Sequence, residues 1–452
     1  MTTFKIKKGR TLNIKGTPER EVSVASSGKR FALLPPDFAG IKGKLSVNVG
    51  DKVQIGEPLM YNRSYPEMVF TSPAGGKVVE INRGDRRVLL EVVVEADSEE
   101  EFKDFPSFDL PGIEKLGRPE LVSHLLASGM WPYLIQRPFS KIADPSAMPK
   151  SIFINAMDTE PNCADKEFLL QGKRAEFQAG VHALKRLTEG KLFLCYGGGD
   201  EKSVPEVFDI EGAETHQFTG PHPAGNVGTH IHYLDPINKG EVIWHISAEH
   251  LALIGGFLLR GKIPVERVVA LSGSSALNPR YVKTRMGADL KSIVNDQVEK
   301  GEVRFINGGV LTGRQVPAGS YLGFYNSTVT LIPEGRGKET AGWLKPGLDK
   351  PSFSRMFFSA ITPFKKNTMD TRINGEARPL VATHVYDSLV ALDVYTEFLV
   401  KACLAQDVEA MEELGILECA PEDFSLCTYA CVSKLEVDTI IREGLELMEK
   451  EG

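Results

Sequence analysis

The sequence predicts an α+β protein of several domains, and three observations support this fold class. At 452 residues, the chain exceeds the roughly 250–300 residues that one hydrophobic core usually serves. Short β-type runs fill about the first 95 residues, and strand and helix patterns then alternate. Apolar residues at helical spacing dominate the end of the chain, from Tyr386 to Leu404 and from Leu435 to Met448.

The predicted domain boundaries follow these changes of pattern. Four domains are predicted: a β domain over residues 1–100, a parallel α/β domain over 101–260, a small β-rich module over 261–340 and a mainly helical domain over 341–452. The first boundary lies at the acidic run Ala96–Asp104, because charge runs and the prolines that follow it are typical of linkers.

Strands and helices alternate in the second domain. We predict a strand over Ile152–Ala156, a helix over Lys173–Thr188 and a strand over Leu192–Cys195. This order is typical of a parallel sheet, whose ligands bind at the carboxyl ends of the strands. Asp158 and Glu160 follow the first strand and could orient a ligand there, although a remnant loop without a ligand is the favoured interpretation.

Composition excludes several classes of function. The net charge of −7 and the lack of dense Lys and Arg clusters argue against nucleic acid as a partner. The longest apolar run, Leu251–Leu259, is too short to span a bilayer, so membrane contact is expected only through partner proteins. The basic N-terminus leads into no signal peptide, and the spacing of the six cysteines favours reduced thiols in a cytoplasmic setting.

Two glycine-containing half-motifs mark the first domain, Val49–Leu59 and Thr71–Ile81. They resemble the flattened barrel of biotinyl and lipoyl carrier domains, in which Gly supplies the turns and Val and Leu alternate. Carriers place the acylated lysine six positions before the Thr of the second half, where this chain has Tyr65. The resemblance therefore implies a barrel-sandwich fold without a swinging arm.

The segment Ser128–Ile142 follows a predicted short helix. At the equivalent place, the flavin-binding subunit of respiratory complex I and the C subunit of the Rnf complex have a glycine-rich loop whose amides approach the flavin phosphate. Here the stretch instead carries four bulky side chains, Trp131, Tyr133, Leu134 and Ile135. The sequence therefore predicts no cradle for a flavin phosphate.

The same segment combines aromatic surfaces with cationic donors. Trp131, Arg137, Phe139 and Lys141 would suit a quinone head group, and we predict them as quinone-binding residues. The alternative is that they pack the loop against the barrel or bind a partner subunit, because aromatic residues and Arg are also typical of interfaces.

The segment Pro421–Cys431 matches the second half of the C-x-x-C-x-x-C-x-x-x-C motif of iron–sulfur proteins. Cys427 and Cys431 are retained, but Pro421 and Phe424 stand where the first two cysteines belong, and Cys419 is at the wrong spacing. Since two thiolates cannot hold a four-iron cluster, we predict that no cluster is bound.

Two further motifs are weak. The glycine run Tyr196–Asp200 lacks the register of a dinucleotide loop and is predicted to be a plain turn. His230 and His232 would share one face of a possible strand, a geometry that metals use, but a further ligand is missing. A turn with hydrogen-bonded histidines is favoured, and no metal is predicted.

Six short motifs spread over nearly the whole chain together resemble the A subunit of the Na+-translocating NADH:quinone oxidoreductases (Na+-NQR), which are bacterial respiratory sodium pumps. They are Ile6–Arg10, Thr71–Gly84, Arg137–Lys141, Ala156–Thr159, Gly220–Gly225 and Leu426–Cys431. The resemblance implies a Rossmann-like second domain similar to the flavin-binding part of complex I, and a β-grasp module of the soluble-ligand-binding (SLBB) kind.

The same resemblance implies a role inside a larger complex. The A subunit would be cofactor-free and peripheral, on the cytoplasmic face of the bacterial inner membrane. Five partner subunits would carry the flavins, the iron–sulfur centre, the NADH site and the membrane helices, and ubiquinone would be the substrate. Two functions fit this setting: a contribution to quinone reduction, with Arg137 and Lys141 donating to the quinone carbonyls, or a purely structural scaffold.

Overall fold

A computed structural model describes residues 2–26, 28–198, 204–337, 341–348, 350, 353–362 and 364–451. Within these residues the strands, labelled β1 to β20 in chain order, are Thr2–Lys5, Glu19–Val24, Arg30–Leu33, Gly43–Leu45, Lys52–Val53, Pro58–Asn62, Tyr65–Thr71, Gly76–Arg83, Leu89–Ala96, Ile135–Arg137, Lys141–Ile142, Ser151–Ala156, Lys191–Gly197, Glu214–Thr219, Ile243–Ser247, Glu266–Ser272, Arg280–Arg285, Val303–Asn307, Arg314–Val316 and Thr328–Pro333. The helices α1 to α11 are Leu110–Lys115, Arg118–Ala127, Lys166–Leu169, Arg174–Lys185, Val227–Leu234, Ala248–Arg260, Leu290–Val294, Thr396–Ala405, Val408–Glu413, Ser425–Ala430 and Val437–Glu451. None of the helices in these described residues is long and apolar enough to cross a membrane.

Strands β3 to β9 form two small antiparallel sheets, in the orders β3-β9-β8-β5 and β4-β6-β7. The central strand β9 is buried on both faces, because Val92 and Val94 pack into the barrel core while Val93 packs outward against Tyr321 of the third domain. The barrel is therefore joined to the third domain through a shared apolar surface.

Strands β1 and β2, which lie within residues 2–24, belong to neither of these two sheets. Strand β1 pairs in parallel with β14, and β2 pairs in parallel with β17. Each adds a strand to one end of another domain's sheet, so a backbone edge that would otherwise be open is covered. The N-terminal segment thus ties together the sheets of the second and third domains.

The second domain contains a seven-stranded sheet in the order β1-β14-β13-β12-β15-β10-β11. The first five strands are parallel, which confirms the predicted parallel sheet, and the last two are antiparallel. Helices α4 and α6 pack against each other where Gly255 stands, since a Cβ there would lie 1.8 Å from the Glu176 carbonyl oxygen. Gly255 therefore permits the close approach of the two helices.

The third domain holds a six-stranded mixed sheet in the order β19-β18-β20-β16-β17-β2. Helices α8 to α11 form a separate apolar core that includes Met411, Phe424, Ile441 and Leu445. In the described part of the connection between β20 and α8, the helical elements are short 3-10 turns. The last part of this connection also supplies Tyr386, Leu389, Val390 and Leu392 to the C-terminal core.

Candidate functional site between the parallel sheet and the C-terminal helices

The turn Trp131–Tyr133 lies in the core of the protein. Trp131 is fully buried, its Nε1–H donates to the Ala143 carbonyl at 2.8 Å, and its ring meets Trp244 edge-on with centroids 5.5 Å apart. The buried Tyr133 hydroxyl accepts a hydrogen bond from Arg267 Nη2 at 2.6 Å. Both bulky side chains are therefore packed in the core and hydrogen-bonded to other residues of this chain.

Arg137 ends strand β10 and has no exposed surface. Its Nη2 donates to Glu422 Oε1 at 2.6 Å, and its Nη1 lies 3.7 Å from Asp423 Oδ2. Both acids belong to the 3-10 turn Pro421–Phe424, which precedes α10. We call these three charged residues the Arg137 cluster; it joins the second domain to the C-terminal helices.

Asp423 is held in place by neighbours on two elements. Its Oδ2 accepts from the Ala420 backbone N–H at 3.1 Å, and its Oδ1 accepts from Asn226 Nδ2 at 3.2 Å. Helix α5 comes close because residue 228 is Gly, whose hypothetical Cβ would lie 2.4 Å from Asp423 Oδ2. A larger residue at 228 would collide with the Asp423 carboxylate.

The charges of the Arg137 cluster are incompletely compensated. Burial raises the pKa of Asp423 to about 6, against the opposing attraction of Arg137. Among the described residues, Nε and Nη1 of Arg137, Oγ of Ser140 and Nε2 of His245 are buried without a hydrogen-bond partner. Buried donors of this kind can bind a water molecule or a ligand oxygen.

The turn that follows Arg137 also contacts the C-terminal helices. Phe139, at φ 78°, packs against the apolar core of these helices, and the Lys141 ammonium pairs with Glu449 of α11. Lys141 Nζ also lies 5.5 Å from the centroid of the Phe139 ring. Arg137, Phe139 and Lys141 are therefore brought together at an internal interface, whereas Trp131 lies in the core. No sequence signal predicted the C-terminal helices as their neighbour.

A second group of buried charges lies at the carboxyl ends of β12 and β15. Lys166 of α3 donates from Nζ to Ser247 Oγ at 2.9 Å and pairs with Glu249 of α6. Burial is the largest single influence and raises the pKa of Glu249. The attraction of Lys166 and His250 and the hydrogen bonds from Lys166 and Ser247 together outweigh it and lower this pKa to about 2. Ser327, just before β20, donates to Glu249 Oε1 at 3.1 Å, so the Lys166–Glu249 pair also reaches the third domain.

Glu160 binds the loop that precedes β19. Its Oε1 accepts from the Thr312 backbone N–H at 3.1 Å, and its Oε2 accepts from the Thr312 hydroxyl at 2.6 Å. Gly309 is needed beside it, because a Cβ there would lie 2.2 Å from Oε1. Burial, followed by repulsion from Asp158, raises the pKa of Glu160 to about 7.

Glu160 therefore links the second domain to the third through hydrogen bonds. Asp158 is exposed, and its Oδ1 accepts a hydrogen bond from the Glu160 backbone N–H at 2.8 Å. Both carboxylates lie where the sequence predicts them, in the loop after the end of β12. A role for either in orienting a ligand stays a prediction.

The prediction that His230 and His232 share a strand face is wrong. They lie in helix α5, where residues two apart point in different directions. His230 is buried and donates from Nε2 to the Ala224 carbonyl at 3.0 Å, while His232 Nδ1 lies 3.0 Å from Glu418 Oε2. Within the described residues, no group of three or more His, Cys, Asp or Glu could hold a metal ion.

The cysteine pair of the degenerate motif is embedded in the C-terminal core. The Tyr386 hydroxyl donates to Cys431 Sγ at 2.9 Å, and burial raises the pKa of the Cys427 thiol well above its usual value. Iron–sulfur clusters require thiolates, and Pro421 and Phe424 are buried at the positions of the two missing ligands. The residues present do not fit a four-iron cluster.

The six cysteines, all of them in described residues, form no disulfide. The glycine run Tyr196–Asp200, for which the sequence predicts a plain turn, lies partly outside the described residues, since Gly199 and Asp200 are not described. Its first residues, Tyr196 and Gly197, end strand β13.

Three protein-family models match the chain. They are described as the NqrA N-terminal barrel-sandwich hybrid domain, over residues 4–97, the NqrA second alpha/beta domain, over 116–263, and the NQRA C-terminal domain, of the SLBB type, over 268–318. The barrel-sandwich, α/β and SLBB-type parts of the predicted fold are thereby confirmed.

Relatives named as the A subunit of Na(+)-translocating NADH-quinone reductase match along the full length. The protein of Marinomonas sp. (strain MWYL1) is 36% identical over 450 residues, covering 99% of this chain and 100% of its own. That of Vibrio alginolyticus is 38% identical over 448 residues, covering 99% of each chain. Among solved structures, an NAD+-reducing NiFe-hydrogenase in the air-oxidized state matches at 14% identity and a TM-score of 0.33, over 50% of this chain and 47% of that one, which is too low to support an argument.

Full-length identity at this level, together with the three domain matches, shows the family. The predicted resemblance is confirmed: this protein is a subunit of an oxidoreductase complex, and it belongs to the NqrA family, the A subunits of the Na+-translocating NADH-quinone reductases.

Proposed function

We propose that this chain is the cofactor-free, peripheral scaffold of a respiratory complex that couples NADH oxidation and ubiquinone reduction to Na+ export. It would lie on the cytoplasmic face of the inner membrane and hold the five other subunits, which carry the redox groups. One observation supports the proposal: most of the side chains that replace the flavin loop and the cluster ligands in the sequence motifs are buried within this chain. Trp131 and Tyr133 are buried with internal hydrogen bonds, and Phe424 is fully buried.

The test is to purify the full chain without its partners and record its visible absorption and its iron content. We expect neither a flavin spectrum nor iron, and we expect the same after incubation with flavin mononucleotide. Stoichiometric flavin or iron would overturn the cofactor-free scaffold.

A second candidate function, contact with the quinone, is favoured by the unpartnered donors of Arg137. Its Nε and Nη1 are buried without a hydrogen-bond partner, as is the Oγ of Ser140, three residues later in the chain. The Lys141 ammonium lies 5.5 Å from the centroid of the Phe139 ring. A quinone carbonyl is an acceptor that such donors could bind. Trp131, the fourth residue predicted to bind quinone, is fully buried.

The quinone contact is tested in the assembled complex with a soluble quinone analogue. Phe139→Leu combined with Lys141→Gln should weaken analogue binding by roughly tenfold, the loss expected for a charged donor. Lys283→Gln is the matched control, because Lys283 forms an exposed pair with Glu266 in the third domain. Unchanged affinity in a fully assembled Phe139/Lys141 variant would leave the scaffold as the whole function.

A further inference from the structure

A cavity of about 490 Å³ lies between the N-terminal segment and the connection that precedes α8. Arg10 and Leu12 line one side, Phe353, Arg355 and Lys365 line the other, and Tyr429 of α10 also lines it. Three of the lining side chains are cationic, and no Asp or Glu of the described residues lines it.

The two segments that form the cavity are joined by hydrogen bonds. The Asn367 backbone N–H donates to the Asn13 carbonyl at 2.9 Å, and its carbonyl accepts from the Lys15 backbone N–H at 3.0 Å. Lys366 Nζ donates to the Thr17 hydroxyl at 2.8 Å, and the Arg10 guanidinium lies 5.0 Å from the centroid of the Phe353 ring. These contacts hold the two walls of the cavity together.

Both segments carry charge of a single sign. No Asp or Glu occurs from residue 2 to residue 18 or from residue 353 to residue 369. The cations in these two stretches are Lys5, Lys7, Lys8, Arg10, Lys15, Arg355, Lys365 and Lys366. This concentration of positive charge stands in a chain whose net charge is −7, so the surface should attract anions.

Exposed large apolar side chains alternate in sequence with residues that line the cavity. Phe358, Ile361 and Phe364 are 57%, 77% and 89% exposed, whereas Ser359 and Thr362, between them in sequence, line the cavity. Exposed apolar residues grouped in this way are typical of protein or membrane contact sites.

We infer that this basic and apolar surface, residues 5–15, 353–362 and 364–369, binds directly to an anionic phospholipid bilayer, with a headgroup phosphate in the cavity. Its cations are mostly Lys, which protein interfaces disfavour but anionic headgroups attract. Phe and Ile beside Lys can enter the boundary between headgroups and acyl chains. This contact goes beyond the proposed scaffold, whose membrane association runs through partner subunits, and it does not depend on that proposal.

The test is flotation of the purified full chain with vesicles of phosphatidylcholine alone or mixed with phosphatidylglycerol. Wild-type protein should float only with the anionic vesicles, and less so at high salt. The triple variant Arg355→Gln, Lys365→Gln, Lys366→Gln should bind on the order of a hundredfold more weakly, at about fivefold for each cation near the surface. Phe358→Ser, Ile361→Ser, Phe364→Ser should also lose binding.

A matched control comes from the hairpin between β8 and β9, which carries two cations and an exposed Val, Arg86, Arg87 and Val88. Arg86→Gln, Arg87→Gln, Val88→Ser should leave flotation unchanged. Equal recovery of wild-type protein with both kinds of vesicle would overturn the inference, as would an equal loss in the hairpin variant. If the Phe358/Ile361/Phe364 variant bound as well as wild type and inorganic phosphate competed with binding, the ligand would be a soluble phosphate. That result would also overturn the inference.

Discussion

Two groups of buried charges link the second domain to its neighbours, and they are balanced in different ways. At Lys166, the attraction of the pair, with further hydrogen bonds and neighbouring charges, outweighs burial, since the pKa of Glu249 falls to about 2 and the pKa of Lys166 rises. At Arg137, burial prevails over the attraction of the Arg, and the pKa of Asp423 rises to about 6. A cation beside a buried carboxylate thus keeps Glu249 ionised, whereas it stabilises the charge of Asp423 only in part.

The difference follows from geometry. Glu249 lies in the first turn of α6, where the helix dipole favours a carboxylate, and it contacts Lys166 directly. Asp423 instead lies 3.7 Å from Arg137, and the closer partner, Glu422, keeps a third of its side chain in solvent. Buried pairs repay their desolvation only when contacts are close and the remaining donors are satisfied.

The largest expected effect comes from Lys166→Met, which would leave Glu249 buried without its cation. We expect the free energy of unfolding to fall by about 3–5 kcal/mol, the usual cost of an unpaired buried charge, as measured by urea denaturation. Lys283→Met, which breaks an exposed pair with Glu266, should cost less than about 1 kcal/mol. If both variants lowered the free energy of unfolding equally, the buried Lys166–Glu249 pair would contribute no more to stability than an exposed pair.

The next effect concerns pH and Glu160. Its pKa is 4.5 ordinarily and about 7 in the folded protein, so its contribution to stability is complete below pH 4.5 and is lost as the pH rises to about 7. Glu160→Gln cannot titrate. Between pH 4.5 and 7 the variant should therefore gain stability relative to wild type by about 3 kcal/mol, at about 1.4 kcal/mol for each pH unit.

Urea denaturation at pH 5 and pH 7.5 measures this difference. The buried histidines titrate alike in both proteins and cancel from the comparison, and Glu67→Gln, at an exposed position, is the control. A difference between Glu160→Gln and wild type that does not change with pH would show that the folded-state pKa of Glu160 is ordinary.

Arg137→Met should cost less than Lys166→Met, although Arg137 is the more deeply buried cation. Asp423 is already close to taking up a proton at neutral pH, and the substitution also removes two unsatisfied donors. We expect a loss of about 1–2 kcal/mol in the same denaturation experiment. A loss as large as that of Lys166→Met would mean that Arg137 is fully compensated, and would weaken the case for a ligand at its donors.

Much of the second domain could be predicted because its signals are local. The helix predicted over Lys173–Thr188 is observed as α4, Arg174–Lys185. The pairings of β1 and β2 could not be predicted, since each partner strand lies some 200 residues or more away and a single strand does not encode its neighbour. No pattern in residues 2–24 therefore indicates which sheets these strands join.

In the candidate site, too, local features could be predicted and contacts between distant segments could not. The bulk of Trp131 and Tyr133 was enough to predict a filled loop, but the bond from Arg137 to Glu422 spans 285 positions and has no local signal. The error at His230 and His232 was avoidable. Val227 and Ile231, both buried, are four residues apart, which is the spacing of a helix face.

The smallest effect is expected from Lys141, whose pair with Glu449 is half-exposed. A double-mutant cycle with Lys141→Met and Glu449→Gln should give a coupling below about 1 kcal/mol that shrinks further at high salt. A coupling above about 2 kcal/mol would place this pair with the buried charges, and Lys141 would then be committed to α11. A coupling near zero would leave the ammonium able to exchange Glu449 for a quinone carbonyl at little cost, so this cycle bears on the choice between scaffold and quinone contact.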